Sequence, residues 1–107
     1  MTVTHAAAIA RLGFALSDAT RTKVMLALAV APAYPSDLAS VIGVSRQVMS
    51  NQLACLRGCG LVVAIPDGRR SRYELAAPLL AQVMDTLARM VVDVSPGCCS
   101  ADGCTCS

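Results

Sequence analysis

Apolar residues recur at helical spacing through the first part of the chain. Between residues 4 and 17, Ile9, Leu12 and Leu16 lie three or four positions apart, which predicts a first helix. Asp18 is placed to cap a second helix, because its side chain suits the N-cap position and an apolar pattern follows it. That pattern is formed by Val24, Leu26, Leu28 and Ala31. The chain therefore begins with two consecutive helices.

A short helix, a tight turn and a longer helix come next. Ser36 is the predicted N-cap of the third helix, and Gly43 ends that helix after barely two turns. Ser45 is the predicted cap of the fourth helix, which runs to about Arg57. This helix carries one apolar stripe, formed by Met49, Leu53 and Leu56. The succession is that of a helix-turn-helix.

A β-hairpin is predicted directly after these helices. Residues 61–65 form a short apolar run of strand type, residues 66–68 are a strong turn signal, and residues 71–75 alternate between apolar and polar side chains. A hairpin at this place is the wing of a winged helix-turn-helix. Its tip would carry Arg69 and Arg70. The predicted fold class is therefore mainly α with one β-hairpin.

The last helix is predicted to present more apolar surface than one chain can bury. Pro78 suits its first position. Its apolar face is broad and consists of Leu79, Leu80, Val83, Met84, Leu87 and Val91. In 107 residues of which 55% are hydrophobic, this surplus predicts a homodimer through the first and last helices, with a monomeric core helix as the alternative. We expect one domain over residues 1–94 and a flexible, cysteine-rich tail over residues 95–107.

Composition and charge exclude several classes of protein. The net charge is +2, which is too small to prove a polyanionic partner. No apolar run approaches the ~18 residues of a membrane span and no targeting segment is visible, which favours a cytoplasmic protein without membrane contact. No Cys–His nucleophile pair, carboxylate pair or phosphate-binding loop is found, so we expect no enzyme, organic cofactor or small organic substrate.

Polar side chains near the start of the fourth helix indicate recognition of double-stranded DNA. With the apolar stripe turned inward, the opposite side presents Arg46, Gln47, Ser50 and Asn51. Arginine pairs with guanine, and glutamine or asparagine with adenine, in the major groove. The wing offers three arginines for phosphate or minor-groove contacts, namely Arg69, Arg70 and Arg72. The alternative is an ordinary solvated polar face.

The cysteines form the second candidate site. Cys55 and Cys59 are four positions apart in the second half of the fourth helix, so they share a face and can bind one soft ion together. A third ligand would come from the tail, which contains Cys98, Cys99, Cys104 and Cys106. The sole histidine is His5, so thiolates dominate, and they suit Cd(II), Pb(II), Hg(II) and As(III), with Zn(II) still possible.

Three other interpretations of the thiols stay open. Cys55 would serve equally as a small apolar core residue. Cys98 with Cys99, or Cys104 with Cys106, would allow a thiol-redox-sensing repressor that uses no metal. A metal buffer that does not bind DNA is the third interpretation, and it predicts no sequence-specific DNA binding.

The run at residues 50–63, above all the Cys-Leu-Arg-Gly-Cys-Gly-Leu-Val stretch from residue 55, resembles the ArsR/SmtB family of metal-sensing repressors, and within it the cadmium- and lead-sensing CmtR subgroup. Residues 12–13, 18–21, 68–69 and 72–73 are also similar to that family. The resemblance implies a homodimer that binds operator DNA without metal and releases it when metal binds. It also implies that Cys55 and Cys59 are joined by a tail cysteine of the other subunit, with Cys98 or Cys99 nearest the expected position.

The sequence departs from the family in several places. The start of the third helix lacks the paired cysteines of many relatives, and the last helix lacks histidines. Gln52 stands where a histidine is usual. The tail pattern of Cys98-Cys99 followed by Cys104 is similar to the tails of some arsenic sensors. The resemblance therefore favours Cd(II) or Pb(II) as the inducer, with As(III) next.

Overall fold

The computed structural model describes residues 3–90, 99–100 and 103–104. These residues form five helices and four strands. In chain order the elements are α1 (Val3–Leu16), α2 (Ala19–Val30), α3 (Pro35–Ile42), α4 (Arg46–Gly58), β1 (Val62–Asp67), β2 (Arg70–Leu75), α5 (Pro78–Met90), β3 (Cys99–Ser100) and β4 (Gly103–Cys104). The first seven elements are those of a winged helix-turn-helix, so the predicted fold class is confirmed.

Two of the predicted helix caps are present. The Asp18 carboxylate accepts a hydrogen bond from the backbone N–H of Arg21 at 2.9 Å, at the start of α2. The Ser45 hydroxyl accepts one from the backbone N–H of Val48 at 3.1 Å, at the start of α4. Each bond satisfies one of the N–H groups that a helix leaves without a partner at its first turn.

The predicted cap of α3 is wrong. Tyr34, rather than Ser36, is the N-cap, and it makes no side-chain capping bond. Pro35 is the first helical residue, where its fixed φ fits the helix and its missing N–H costs nothing. The helix therefore begins two residues earlier than expected. It ends as predicted at Gly43, which has a φ of 83°, in the left-handed region that a glycine adopts without strain.

The helices enclose an apolar core that fixes the orientation of α4. Met49, Leu53 and Leu56 are fully buried, as the predicted stripe requires. They pack in one cluster with Val24 and Met25 of α2. Since one side of α4 is committed to the core, its other side is left for solvent or a partner.

The wing is a two-stranded antiparallel hairpin, whose register runs from Val62 opposite Leu75 to Asp67 opposite Arg70. Pro66 and Asp67, the first two residues of the predicted turn, still pair with β2. The turn itself therefore consists of residues 68 and 69. Arg70 is consequently the first residue of β2 rather than part of the tip. The wing is also tied to the loop before α3, because Ala33 and Tyr73 exchange two backbone hydrogen bonds at 3.0 and 2.8 Å.

The apolar surplus predicted for the outer helices lies on the surface of the single chain. On α5, Met84 is buried, whereas Leu79 is 67% exposed and Val83 38% exposed. On α1, Ile9 and Phe14 are each 57% exposed. Val91 and the predicted boundary between domain and tail lie outside the described residues. None of the helices within the described ranges is both long and apolar enough to cross a membrane.

Candidate nucleic-acid interface and metal centre

The two central cysteines lie one helical turn apart at the end of α4. Cys55 belongs to the last turns of the helix, and Cys59 is its C-cap residue. The backbone N–H of Cys59 donates to the carbonyl oxygen of Cys55 at 3.0 Å, so the helical path continues through both residues. Their Cβ atoms are therefore expected to be about 5–6 Å apart. Both side chains are half-buried free thiols.

A tight helix end holds Cys59 in place. Gly60 has a φ of 77°, and its N–H donates to the carbonyl oxygen of Arg57 at 3.0 Å. The N–H of Leu61 donates to the carbonyl oxygen of Leu56 at 3.1 Å, which completes a Schellman motif. Leu61 is buried, and Cys59 itself packs against the core. The backbone that bears the Cys59 thiol is therefore held in place by these two hydrogen bonds and by the core.

The thiol pair is an incomplete metal site by itself. Among residues 5–90, no group of three or more histidine, cysteine, aspartate or glutamate side chains is arranged to hold a metal ion. Two half-buried thiols one turn apart fit part of the coordination sphere of a soft ion, which takes three or four ligands. The remaining ligands would have to come from outside this part of the chain.

The tail cysteines are described only in part. The predicted ligands Cys98 and Cys106 lie outside the described residues. The backbone of Cys99 belongs to β3 and that of Cys104 to β4, and the register places these two residues directly opposite each other. The sequence pattern did not predict this short hairpin.

The predicted base-reading residues all lie on the solvent side of α4. Arg46, Gln47, Ser50 and Asn51 are exposed in its first two turns. The side-chain amide of Gln47 donates to Asn51 Oδ1 at 3.0 Å. This bond fixes the two amides relative to each other, and it links the two side chain types that best recognise adenine.

The three wing arginines differ in how far their charge is already paired. Arg69 is exposed in the turn. Arg72 lies 3.7 Å from Asp67 and 3.8 Å from Glu74, and its Nε is buried without a hydrogen bond. Arg70 stacks on the ring of Tyr34, with its guanidinium carbon 3.6 Å from the ring centre. Of the three, Arg72 is therefore the least available to a phosphate.

Tyr34 is a functional candidate that the sequence pattern missed. Its hydroxyl donates a short hydrogen bond to the carboxylate of Asp67 on the wing. That bond raises the pKa of Tyr34 above the usual tyrosine value. Tyr34 and Asp67 are 33 positions apart, and neither belongs to a recognisable motif, so only the folded chain shows the contact.

Three comparisons place the chain among known proteins. Residues 18–63 match the family described as "Bacterial regulatory protein, arsR family". Over 87 residues the chain is 48% identical to the HTH-type transcriptional regulator CmtR of Mycobacterium tuberculosis, which covers 81% of this chain and 74% of that protein.

Two solved structures are similar over most of their length. The NMR structure of the cadmium metal-sensor CMTR from Mycobacterium tuberculosis is 46% identical with a TM-score of 0.69, covering 87% of this chain and 98% of that one. A homodimeric winged helix-turn-helix DNA-binding domain from Mycobacterium bovis is 28% identical with a TM-score of 0.73, covering 87% of this chain and 88% of that one.

Proposed function

Because the chain belongs to the arsR family of bacterial regulatory proteins, we propose that it is a cytoplasmic, metal-responsive transcriptional repressor. Without metal, it binds operator DNA as a homodimer; when a soft ion binds Cys55 and Cys59, it releases the DNA. The observation that carries this proposal is that both thiols lie at the C-terminal end of the helix whose first two turns present exposed polar side chains to DNA. Since members of this family are DNA-binding regulators, the expectation that the chain is not an enzyme is confirmed.

The DNA-binding state is a dimer formed by α1 and α5. Both helices expose large apolar side chains, among them Phe14 on α1 and Leu79 on α5. Exposed apolar side chains in such number mark an interaction surface, and a second copy of the chain is the simplest partner to cover it. The similar domain from Mycobacterium bovis is homodimeric, which supports the same assembly here. A dimer presents two copies of α4 to half-sites about one helical turn of DNA apart.

The inducer is a thiophilic ion. Cd(II) is favoured, because the cadmium metal-sensor CMTR is 46% identical to this chain, and Pb(II) demands the same kind of ligands. As(III) is the next candidate. We propose that Cys98 or Cys99 supplies the third thiolate, with Cys104 and Cys106 as less favoured donors. Such a ligand would fasten the tail to the end of α4 and shift the dimer towards a state in which the two recognition helices no longer match the groove.

The proposal is tested with a duplex that the metal-free protein selects from a random library. Binding is followed by fluorescence anisotropy while Cd(II), Pb(II) or As(III) is added. At least one ion should release the parent protein, whereas Cys55→Ser and Cys59→Ser should bind the duplex and stay bound. Ala54→Ser, which places a hydroxyl group on an exposed residue of the same helix and removes no thiol, is the matched control and should respond like the parent. A complex that none of the ions affects would contradict the proposed mechanism, and a failure to select any sequence would contradict the DNA-binding function.

One observation favours a second candidate function, a thiol-redox-sensing repressor. The register that sets Cys99 opposite Cys104 brings their Cα atoms to a separation of about 4.5–5.5 Å, which is within the range of a disulfide. Mass spectrometry of peroxide-treated protein separates the two functions. A redox sensor should form a disulfide and lose DNA in step with it, whereas the metal sensor should keep its DNA after mild oxidation of the tail.

A further inference from the structure

The wing and the helix-turn-helix enclose a cleft with a cationic lining. Its volume is about 280 Å³, and it is bounded by Tyr34, Pro35, Ser36, Arg46, Arg70 and Ser71. These residues come from three separate elements, namely the start of α3, the first residue of α4 and the start of β2. Two guanidinium groups and the hydroxyl groups of Ser36 and Ser71 therefore line one space and can donate hydrogen bonds to an anion, whereas the Tyr34 hydroxyl already donates to Asp67.

Arg70 is held in position before any ligand arrives. The ring of Tyr34 supports one face of its guanidinium group, whose carbon lies 3.6 Å from the ring centre. Its Nη2 lies 3.5 Å from Ser36 Oγ and 3.8 Å from the carboxylate of Asp37. Because stacking and a polar contact already restrict this long side chain, less conformational entropy is lost when it binds a ligand.

Arg46 and Arg70 both have N–H groups that remain available to a ligand. Nε and Nη1 of Arg70 make no hydrogen bond with the described residues, and neither does the side chain of Arg46. Asp37, the acidic neighbour of Arg70, is 66% exposed at its side chain, so solvent screens its charge. The cleft thus combines two positive charges with the screened charge of Asp37, whereas the Asp67 carboxylate beside Tyr34 is already engaged by the Tyr34 hydroxyl and lies 3.7 Å from Arg72.

We propose that this cleft holds one phosphodiester group of the operator backbone, bound by Arg46 and Arg70 together, with Tyr34 as the residue that positions Arg70. The inference rests on the proposed function, because it requires that α4 faces DNA. Arg46, which the sequence predicts to read a base, would here bind the phosphate instead. Because it directly precedes Gln47, a phosphate held there would fix the register of α4 in the groove. The wing and the recognition helix would share a single anchor point on the DNA.

The test is a scan of the selected duplex in which each phosphate in turn is replaced by a neutral methylphosphonate. The parent protein should lose about tenfold in affinity at one position in each half-site. Arg46→Gln and Arg70→Gln should each bind the unmodified duplex more weakly and should lose little more at that same position. Arg57→Gln, which changes an exposed arginine at the other end of α4, is the matched control and should keep the full sensitivity of the parent.

Two results would overturn the shared phosphate while leaving DNA binding intact. In one, the two variants become insensitive at different positions, which would mean that each arginine contacts its own phosphate. In the other, no position depends on either arginine. If the parent selects no duplex at all, the proposed function fails together with this inference.

The role of Tyr34 has its own measurement. Tyr34→Leu should weaken binding of the unmodified duplex by a factor comparable to Arg70→Gln, and it should add almost nothing in an Arg70→Gln background. Tyr34→Phe, which keeps the ring, should restore most of the affinity. If Tyr34→Leu weakens binding equally in both backgrounds, Tyr34 does not act through Arg70.

Discussion

The guanidinium group of Arg21 donates a hydrogen bond from Nη1 to Gln52 Oε1 at 3.2 Å, and so joins the first turn of α2 to the recognition helix. The same group donates to the carbonyl oxygens of Phe14 at 3.1 Å and Ala15 at 3.0 Å, at the end of α1. The guanidinium group of Arg21 therefore connects α1, which has exposed apolar side chains, to α4, which is proposed to contact DNA. Gln52 lies one turn before Cys55, so the same helix also carries the thiol pair.

Loss of the hydrogen bonds of Arg21 should weaken the attachment of α4 to α2 and destabilise the fold. We expect Arg21→Met to lower the free energy of unfolding by about 1–3 kcal/mol, because it removes the partly buried hydrogen bonds to the Ala15 carbonyl oxygen and to Gln52 Oε1. Gln52→Leu breaks only the bond between the helices and should cost about 1 kcal/mol. Urea denaturation measures both values. If Arg21→Met has the same free energy of unfolding as the parent, the guanidinium group of Arg21 does not stabilise the fold.

The helix end behind Cys59 gives a second prediction. Gly60→Ala forces a side chain into a backbone with a φ of 77°, although no atom lies within 4 Å of the added Cβ. The substitution should cost about 1 kcal/mol of stability and weaken Cd(II) binding, because the strain is relieved by moving Cys59. Gly58→Ala, at a helical glycine with equal space, is the control and should be neutral or stabilising. Equal Cd(II) affinity in both variants would refute the link between this turn and the metal site.

The contact between Tyr34 and Asp67 predicts a pH effect. The Asp67 carboxylate accepts a hydrogen bond from the Tyr34 hydroxyl and thereby raises the pKa of Tyr34, so the protonated form is the stabilising one. The stabilisation is fully present below the ordinary tyrosine pKa of about 10 and is lost as the pH rises through the higher pKa of the folded protein.

An ultraviolet titration tests this effect. The chain has two tyrosines, so a Tyr73→Phe background leaves Tyr34 as the only chromophore that ionises. In that background, Asp67→Asn should return the ionisation of Tyr34 to its usual range. An ionisation that is the same with and without the carboxylate would show that the hydrogen bond does not persist in solution.

The exposed faces of α1 and α5 predict the oligomeric state. Leu79→Glu or Val83→Glu should convert a dimer into a monomer, because each places a charge in the middle of an apolar surface. Val41→Glu changes an even more exposed valine on α3 and should leave the dimer intact. Analytical ultracentrifugation distinguishes the species. A parent protein that is monomeric at all concentrations would contradict the assembly.

Local signals sufficed for much of this fold. Asp18 and Ser45 cap the helices that follow them, since capping depends on neighbouring residues in the chain. Ser36 was predicted to do the same and does not, because the proline before it already fits the first helical position. The prediction failed where two adjacent residues competed for one boundary.

The contacts that position the candidate sites could not be predicted from neighbouring residues in the chain. Arg21 meets Gln52 across 31 positions, and Arg70 meets Ser36 across 34. Both pairs depend on how whole elements pack, and polar pairs of this kind leave no periodic trace in the sequence. The spacing of Cys55 and Cys59 was informative because one helix carries both, whereas the source of the third ligand depends on tertiary or quaternary structure.

The most direct test of the central claim is a Cd(II) titration of the reduced protein, read by sulfur-to-metal charge-transfer absorption. Cys55→Ser and Cys59→Ser should each reduce affinity by more than the roughly 10–100-fold that loss of a supporting hydrogen bond costs a metal site, and should weaken the absorption band. Ala54→Ser, the control that removes no thiol, should leave both the affinity and the absorption band unchanged. If the two α4 variants bind Cd(II) as tightly as the parent, with the same band, the metal does not bind at the recognition helix and the account is wrong.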